Sequence, residues 1–226
     1  MAKAKLTVAD GFAPELIEGA LLEEFFNIPL LEPVKELIVP QGIIPFSKRR
    51  RSQNYGEFVA FYEHDVKFAD FVLRPEFYSE ELCRFKGVIT PDCSLYRDTP
   101  LGAQVLNTYR NRMLGYQCQR RGGYVIVNVR WGDERSYTTC LYPVKFAFLG
   151  VPKHSIVSIS TYGCIKGSEN KYYFKQGLKA MLEELQPLIV LVYGAMPKEV
   201  FGEFEHLTQF IHFRDWISLC KGKEAA

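Results

Sequence analysis

Short runs of aliphatic and β-branched residues recur along the chain and constrain its fold more than any other feature. The clearest are 87–92 (GVITPD), 124–131 (YVIVNVRW), 155–161 (SIVSIST) and 189–194 (IVLVYG), with 58–65 (FVAFYEHD) before them and 208–213 (TQFIHF) after. Most are continuously apolar rather than alternating, as in strands buried on both faces. Between them lie segments of helical spacing: 68–85 with an interruption at Pro75, 101–121, 171–185 and a short one at 197–204. Strand–helix alternation of this kind predicts an α/β protein with a mostly parallel central sheet covered by helices. The stretches 37–40 (LIVP) and 43–46 (IIPF) bring the strand number to six or seven. That suits an open three-layer sheet or an incomplete β/α barrel. An eightfold barrel usually takes ~250 residues, so a chain of 226 favours the open sheet.

Ahead of this pattern, Leu16, Ile17, Ala20, Leu21, Leu22, Phe25 and Phe26 have helical spacing within 13–26, and Pro29 and Pro33 break it. The expected organisation is an N-terminal helical extension over 1–33 and one α/β domain over 34–226. Helix 101–121 is expected to bury Leu101, Val105, Leu106, Tyr109, Met113 and Leu114 on one face, with Gly122 and Gly123 at its C-terminal end.

Composition excludes several classes. With 47% hydrophobic and 24% charged residues the chain is neither disordered nor fibrous. A net charge of +2 is too balanced to indicate nucleic-acid binding through bulk electrostatics. The first residues lack the apolar core of a signal peptide, and the most apolar stretches fall far short of the ~20 residues that cross a bilayer. A cytoplasmic protein without a membrane partner is expected. The six cysteines include no CxxC pair, so reduced thiols are expected and no zinc site. The GxGxxG, GxxxxGK[ST] and GxSxG signatures are missing, which removes the common dinucleotide, P-loop and α/β-hydrolase readings.

Parallel sheets place ligands at the carboxyl ends of their strands. Strand 88–90 runs out into Asp92, Cys93, Ser94, Tyr96, Arg97 and Asp98, and strand 125–129 carries Asn128 and ends in Arg130, Trp131 and Asp133. Asn128 and Arg130 are polar residues on a buried strand, two apart and therefore on one face. Asp92, Asp98 and Asp133 are candidate catalytic carboxylates, able to divide acid and base roles if their environments differ. Arg97, Asn128 and Arg130 are candidates for holding an anionic substrate, and Tyr96 and Trp131 for stacking on a base. Consecutive strands joined by one helix are usually neighbours, so these two exits are expected to share one pocket. The same residues would also serve as a salt-bridge network pinning the two loops. A cysteine nucleophile at Cys93 or Cys164 would need a base or cation beside it. Arg110 and Arg112 lie almost opposite each other on their helix, so only one of them can face a given ligand. The cofactor is unspecified: a divalent cation such as magnesium, held by carboxylates and waters, leaves no tight sequence signature.

The function this favours is a small enzyme acting on a nucleotide, a nucleoside or a nucleic-acid end. The alternative is a non-catalytic protein that binds DNA or a host protein through the basic loop Lys48, Arg49, Arg50 and Arg51.

The motifs NIPLLEPV, TPDCSLYRDTP, NTYRNR, NVRWGDERSY, ISTYGCIK and VYGAMP together resemble an uncharacterised family carried by phages and mobile elements of Gram-positive bacteria. The resemblance covers roughly 27–204. It implies a phage or mobile-element context and brings no activity. The family pattern has an aromatic where this chain has Cys93 and an asparagine where it has Tyr162, which counts against roles for those two residues.

Overall fold

The computed structural model describes residues 13–224. Its seven strands are β1 (Ile43–Pro45), β2 (Phe58–Ala60), β3 (Gly87–Ile89), β4 (Val125–Asn128), β5 (Ile156–Ser160), β6 (Ile189–Tyr193) and β7 (Gln209–Phe213). They form one sheet in the order β1-β2-β3-β4-β5-β6-β7, with every neighbouring pair parallel. The helices are α1 (Ala69–Leu73), α2 (Pro75–Leu82), α3 (Leu101–Gln119), α4 (Glu134–Tyr137), α5 (Gly167–Leu185), α6 (Lys198–Phe201) and α7 (Trp216–Glu224).

Strand order decides between the two expected architectures. An open doubly wound sheet reverses direction at a switch point and so gains helices on both faces. Here the order never reverses, and the sheet curls into a half-barrel instead of the open form that chain length favoured. Its packing follows. Val59, Val88, Val125, Val127, Val157, Val190 and Val192 point outward and pack with helical residues such as Leu82, Leu114, Leu178 and Met181. Their strand neighbours Phe58, Ile89, Ile126, Ile156, Ile189 and Leu191 point inward and form a separate core. The runs are mostly apolar because both faces are buried, with Asn128, Ser158 and Ser160 as buried polar exceptions.

One end of the half-barrel is plugged. Phe58 lies over Gly87, where a Cβ would come within 2.2 Å of its ring, and Tyr124 meets Phe58 edge-on at 5.5 Å. The Tyr124 hydroxyl donates to Glu36 O (2.7 Å) and accepts from Ile38 N (2.9 Å), drawing segment 34–38 across the inner core. The opposite end, where the strands terminate, stays open.

The expected helix over 13–26 does not form; residues 1–12 of the extension lie outside the described residues. Pro14–Ile17 makes a single 3-10 turn, Gly19 adopts φ +80°, and Leu22 bridges Pro29 antiparallel. Tertiary contacts outweigh the helical spacing. Glu23 turns its carboxylate onto the backbone N–H groups of Phe25, Phe26 and Ile28, and α3 reaches up through Tyr116, which donates to Glu18 O, and Gln117, which donates to Leu16 O. Segment 37–40 is likewise not a strand.

Helix α3 also differs from its expected apolar face. Met113 and Leu114 are buried as expected, but so are Gln104, Thr108, Asn111, Arg112, Gly115, Gln117 and Cys118, whereas Leu106 is exposed. The side of this helix turned to the sheet mixes apolar with polar residues, and the polar ones carry the hydrogen bonds that hold the strand exits.

Candidate functional site

Site construction begins with those polar groups. The fully buried Asn111 amide donates to Pro91 O (2.6 Å) and Asn128 O (3.1 Å), while its oxygen accepts from Thr90 Oγ1 (2.9 Å) and Arg112 Nη1 (2.5 Å). Thr90 Oγ1 in turn accepts from Asn128 N at 2.8 Å. Arg112 donates further to Leu149 O (2.8 Å) and Ala147 O (3.0 Å). One helix thereby fixes the ends of β3 and β4 and the loop over 145–150. No carboxylate makes a salt bridge with the Arg112 guanidinium among the described residues, and burial lowers its pKa to about 9, so it remains charged at neutral pH. Sequence reading gave Asn111 no role. The available signal was the polar series 104, 108, 111 at helical spacing, interrupting what looked like an ordinary amphipathic pattern.

On this frame Asp92 and Arg130 meet across the inner side of the exits. Arg130 Nη1 lies 3.5 Å from Asp92 Oδ2, with the two side chains only 19% and 13% exposed. Asn128 Nδ2 donates to Asp92 Oδ1 at 2.9 Å, orienting the carboxylate. Arg130 Nη1 also donates to Cys164 Sγ at 2.8 Å, and that thiol donates to Tyr162 O. Burial works against the Arg130 charge, but Asp92 and the Cys164 sulfur outweigh it and hold the guanidinium above its ordinary value.

Two adjoining cavities open beside this pair. The larger, about 280 Å³, is lined by Asp92 and Arg130 together with Tyr62, Tyr193, Tyr162 and Trp216. Tyr62 and Tyr193 stack at 4.5 Å, and Tyr62 OH shares a hydrogen with Ser158 Oγ. Burial raises both phenols, Tyr193 to about 12, so they stay neutral hydrogen-bonding groups. The smaller cavity, about 190 Å³, is lined by Arg97, Arg130, Trp131, Asn170, Tyr173 and Phe174, among others. Tyr96, Arg130, Ser160 and Gly163 border both. The stacked Tyr62 and Tyr193 were hidden in apolar runs; the clue was a hydroxyl-bearing aromatic where a run ends, Tyr193 as the last residue of β6 and Tyr62 two residues past β2.

The structure therefore brings Asp92, Asn128 and Arg130 into contact, with Tyr96 beside them and Arg97 and Trp131 on the smaller cavity. Trp131 faces outward from the sheet, against Phe174 at 5.1 Å. Two residues of the expected cluster lie apart. Asp98 is exposed and borders neither cavity. Asp133 is the N-cap of α4, accepting from Arg135 N and pairing with the Arg135 guanidinium at 2.8 Å. It is turned away because the chain rises into α4 immediately after Gly132.

Cys93 is buried and its thiol is pushed up by that burial; the Cys164 thiol is also raised by burial, which Arg130 offsets only in part. The basic segment is a 3-10 helix over Phe46–Arg51, not an open loop. Arg49 is 7% exposed, stacks 3.7 Å over the Phe46 ring and pairs with Glu81 at 3.1 Å, so it is not presented to solvent beside Lys48, Arg50 and Arg51. Among the described residues no group of three or more His, Cys, Asp or Glu side chains is placed to hold a metal ion. Nor is any helix there long and apolar enough to cross a membrane.

Fold and site together define an α/β half-barrel protein whose candidate site is an arginine–carboxylate pair at the open, carboxyl-terminal mouth. The chain belongs to the family described as "Domain of unknown function (DUF4417)", whose model matches residues 20–214. This agrees with the phage-carried family that the motifs resemble. The chain is 28% identical over 174 residues to the "Gene 1 protein" of Mycobacterium phage D29 and, equally, to that of Mycobacterium phage L5. The matched part is 76% of this chain but 61% of the D29 protein and 72% of the L5 protein, so it spans less than two thirds of the former. No solved structure matches the chain.

Proposed function

We propose that the protein binds a nucleotide, or the end of a nucleic-acid strand, in the mouth of the half-barrel and acts on it through Asp92. The observation that carries this reading is Arg130. Its guanidinium is largely buried yet borders both cavities, and its one hydrogen bond among the described residues goes to Cys164 through Nη1. A cation held in this way keeps further N–H donors for an anion, and guanidinium geometry matches phosphate oxygens. Asp92 is oriented by Asn128 toward the larger cavity and supplies a carboxylate for acid–base chemistry. The aromatic lining suits a base. The basic segment supports nucleic-acid binding less well, since Arg49 is committed to Phe46 and Glu81.

A panel of nucleotides and short oligonucleotides screened by thermal shift and product analysis tests the proposal. Wild type should be stabilised by a member of the panel, and Asp92→Asn should keep binding while losing turnover. If no member stabilises wild type, and Asp92→Asn and Arg130→Gln change only the melting temperature, the pair is a structural pin and the proposal fails.

A further inference from the structure

We infer that the smaller cavity is a phosphate subsite, and that the ligand is a nucleoside monophosphate lying across Arg130 with its phosphate there and its nucleoside in the larger cavity. This rests on the reading of the mouth as a nucleotide site and adds the ligand's direction and charge.

Charge is distributed unevenly between the two cavities. Arg97 and Arg130 line the smaller one, and no aspartate or glutamate does. The larger one carries Glu63, Asp92 and Asp215 against Lys67 and Arg130. A phosphate placed there would face three carboxylates, whereas the lining beside Arg97 and Arg130 contains none, the partners Glu169 and Asp92 of these two arginines lying outside it. Conversely, ribose hydroxyls and base N–H groups are donors, and those carboxylates are acceptors. The stacked Tyr62–Tyr193 pair and Trp216 provide apolar and aromatic surface on the same side.

Helix α5, which runs 19 residues from Gly167, lies beside the same cavity. Asn170, Tyr173 and Phe174 from its first turns line the smaller cavity. Arg97 is already drawn toward this helix end, donating to Glu169 at 2.8 Å and Asn170 Oδ1 at 3.0 Å above the Tyr173 ring. Glu169 lies outside the cavity lining, so an arriving phosphate shares Arg97 with it and does not meet it face to face.

Size selects the ligand length. At about 190 and 280 Å³ the cavities lie below and near the ~300 Å³ at which small-molecule sites usually begin, so the two together suit a nucleotide better than either alone. Joined across Tyr96, Arg130, Ser160 and Gly163 they admit a ring system on one side and one phosphoryl group on the other. A triphosphate chain would extend beyond the two arginines onto Glu169.

The test is calorimetric titration of the full chain with each common ribo- and deoxyribonucleoside, its 5′-monophosphate and its 5′-triphosphate, with inorganic phosphate as a separate probe. The expected result is a monophosphate at least tenfold tighter than its nucleoside and no weaker than its triphosphate. That gap should narrow several-fold in Arg97→Gln and be abolished in Arg130→Gln. Because Arg130→Gln leaves Asp92 without its cation and risks misfolding, Arg97→Gln, on the rim, is the deciding variant. Inorganic phosphate should raise the melting temperature of wild type more than that of Arg97→Gln. A nucleoside that binds as tightly as its monophosphate overturns the phosphate subsite and leaves the nucleotide reading standing. Phosphate binding that depends on Arg97, without any nucleotide binding, does the reverse. Binding of neither overturns both.

Discussion

Replacing Gly177 by alanine should destabilise the protein, against the usual expectation for a helix. In a helix interior alanine is favoured over glycine by about 1 kcal/mol, so α5 read alone predicts a gain. The tertiary structure reverses the sign. A Cβ at 177 would lie 2.2 Å from Trp131 Cδ1 and Nε1 and 2.7 Å from Cε2. The ring is buried and tilted against Phe174, so it retreats only by displacing that side chain or filling the smaller cavity. Overpacking of this kind costs about 1–3 kcal/mol, and a clash on three ring atoms belongs in the upper half of that range. Subtracting the helix gain leaves a net loss of about 1–2 kcal/mol. Urea denaturation followed by circular dichroism at constant m-value measures it. The same substitution in a Trp131→Leu background should recover the helix gain, giving a coupling of about 2–3 kcal/mol in a double-mutant cycle, the size of the overpacking cost. If Gly177→Ala raises stability in the wild-type background, the packing argument is refuted.

Two further outcomes follow from the same structure. Arg112→Met removes the donor shared by Leu149 O, Ala147 O, Asn128 O and Asn111 Oδ1. Losing the charged half of a buried network should cost about 3–5 kcal/mol, and a loss under about 1 kcal/mol in chemical denaturation would remove the locking role assigned to α3. Glu184 is paired with Lys153 (2.8 Å) and Lys145 (2.9 Å), whose hydrogen bonds, that of Lys153 foremost, hold its carboxyl below the ordinary value of 4.5. A lowered folded-state pKa gives stability that is present above about pH 4.5 and is lost as the pH falls through the folded value. Because these groups are partly exposed, Glu184→Gln should cost about 1 kcal/mol or less at pH 7, and that gap should close near pH 2; a gap of constant size across the range would exclude the ion pairs as its source.

Much of the fold is legible along the chain. Continuous apolar runs such as 58–61, 125–127 and 189–192 mark strands buried on both faces, and their spacing leaves room for parallel crossovers. The two-residue period alone puts Asn128 and Arg130 on one side, and their exit beside that of β3 anticipates the meeting with Asp92. Three things needed the tertiary structure. Strand order was one: open sheet and half-barrel use the same local elements and differ in which strands pair, a long-range matter to which local periodicity is blind. The fate of individual charges was another. Arg49 and Arg50 read alike in a run of cations, yet one is buried over Phe46 and the other is exposed, according to where Glu81 and Tyr78 lie. Asp133 and Asp92 likewise both follow strands, and a cap claims one while an arginine from the next strand claims the other. The last was the N-terminal segment. Its helical spacing over 16–26 describes apolar groups that must be covered, and α3 covers Leu16 in a non-helical course because Tyr116 and Gln117 offer its backbone the hydrogen bonds a helix would otherwise supply. Sequence encodes which groups must leave water; which partner takes each one is decided when distant segments compete for the same place.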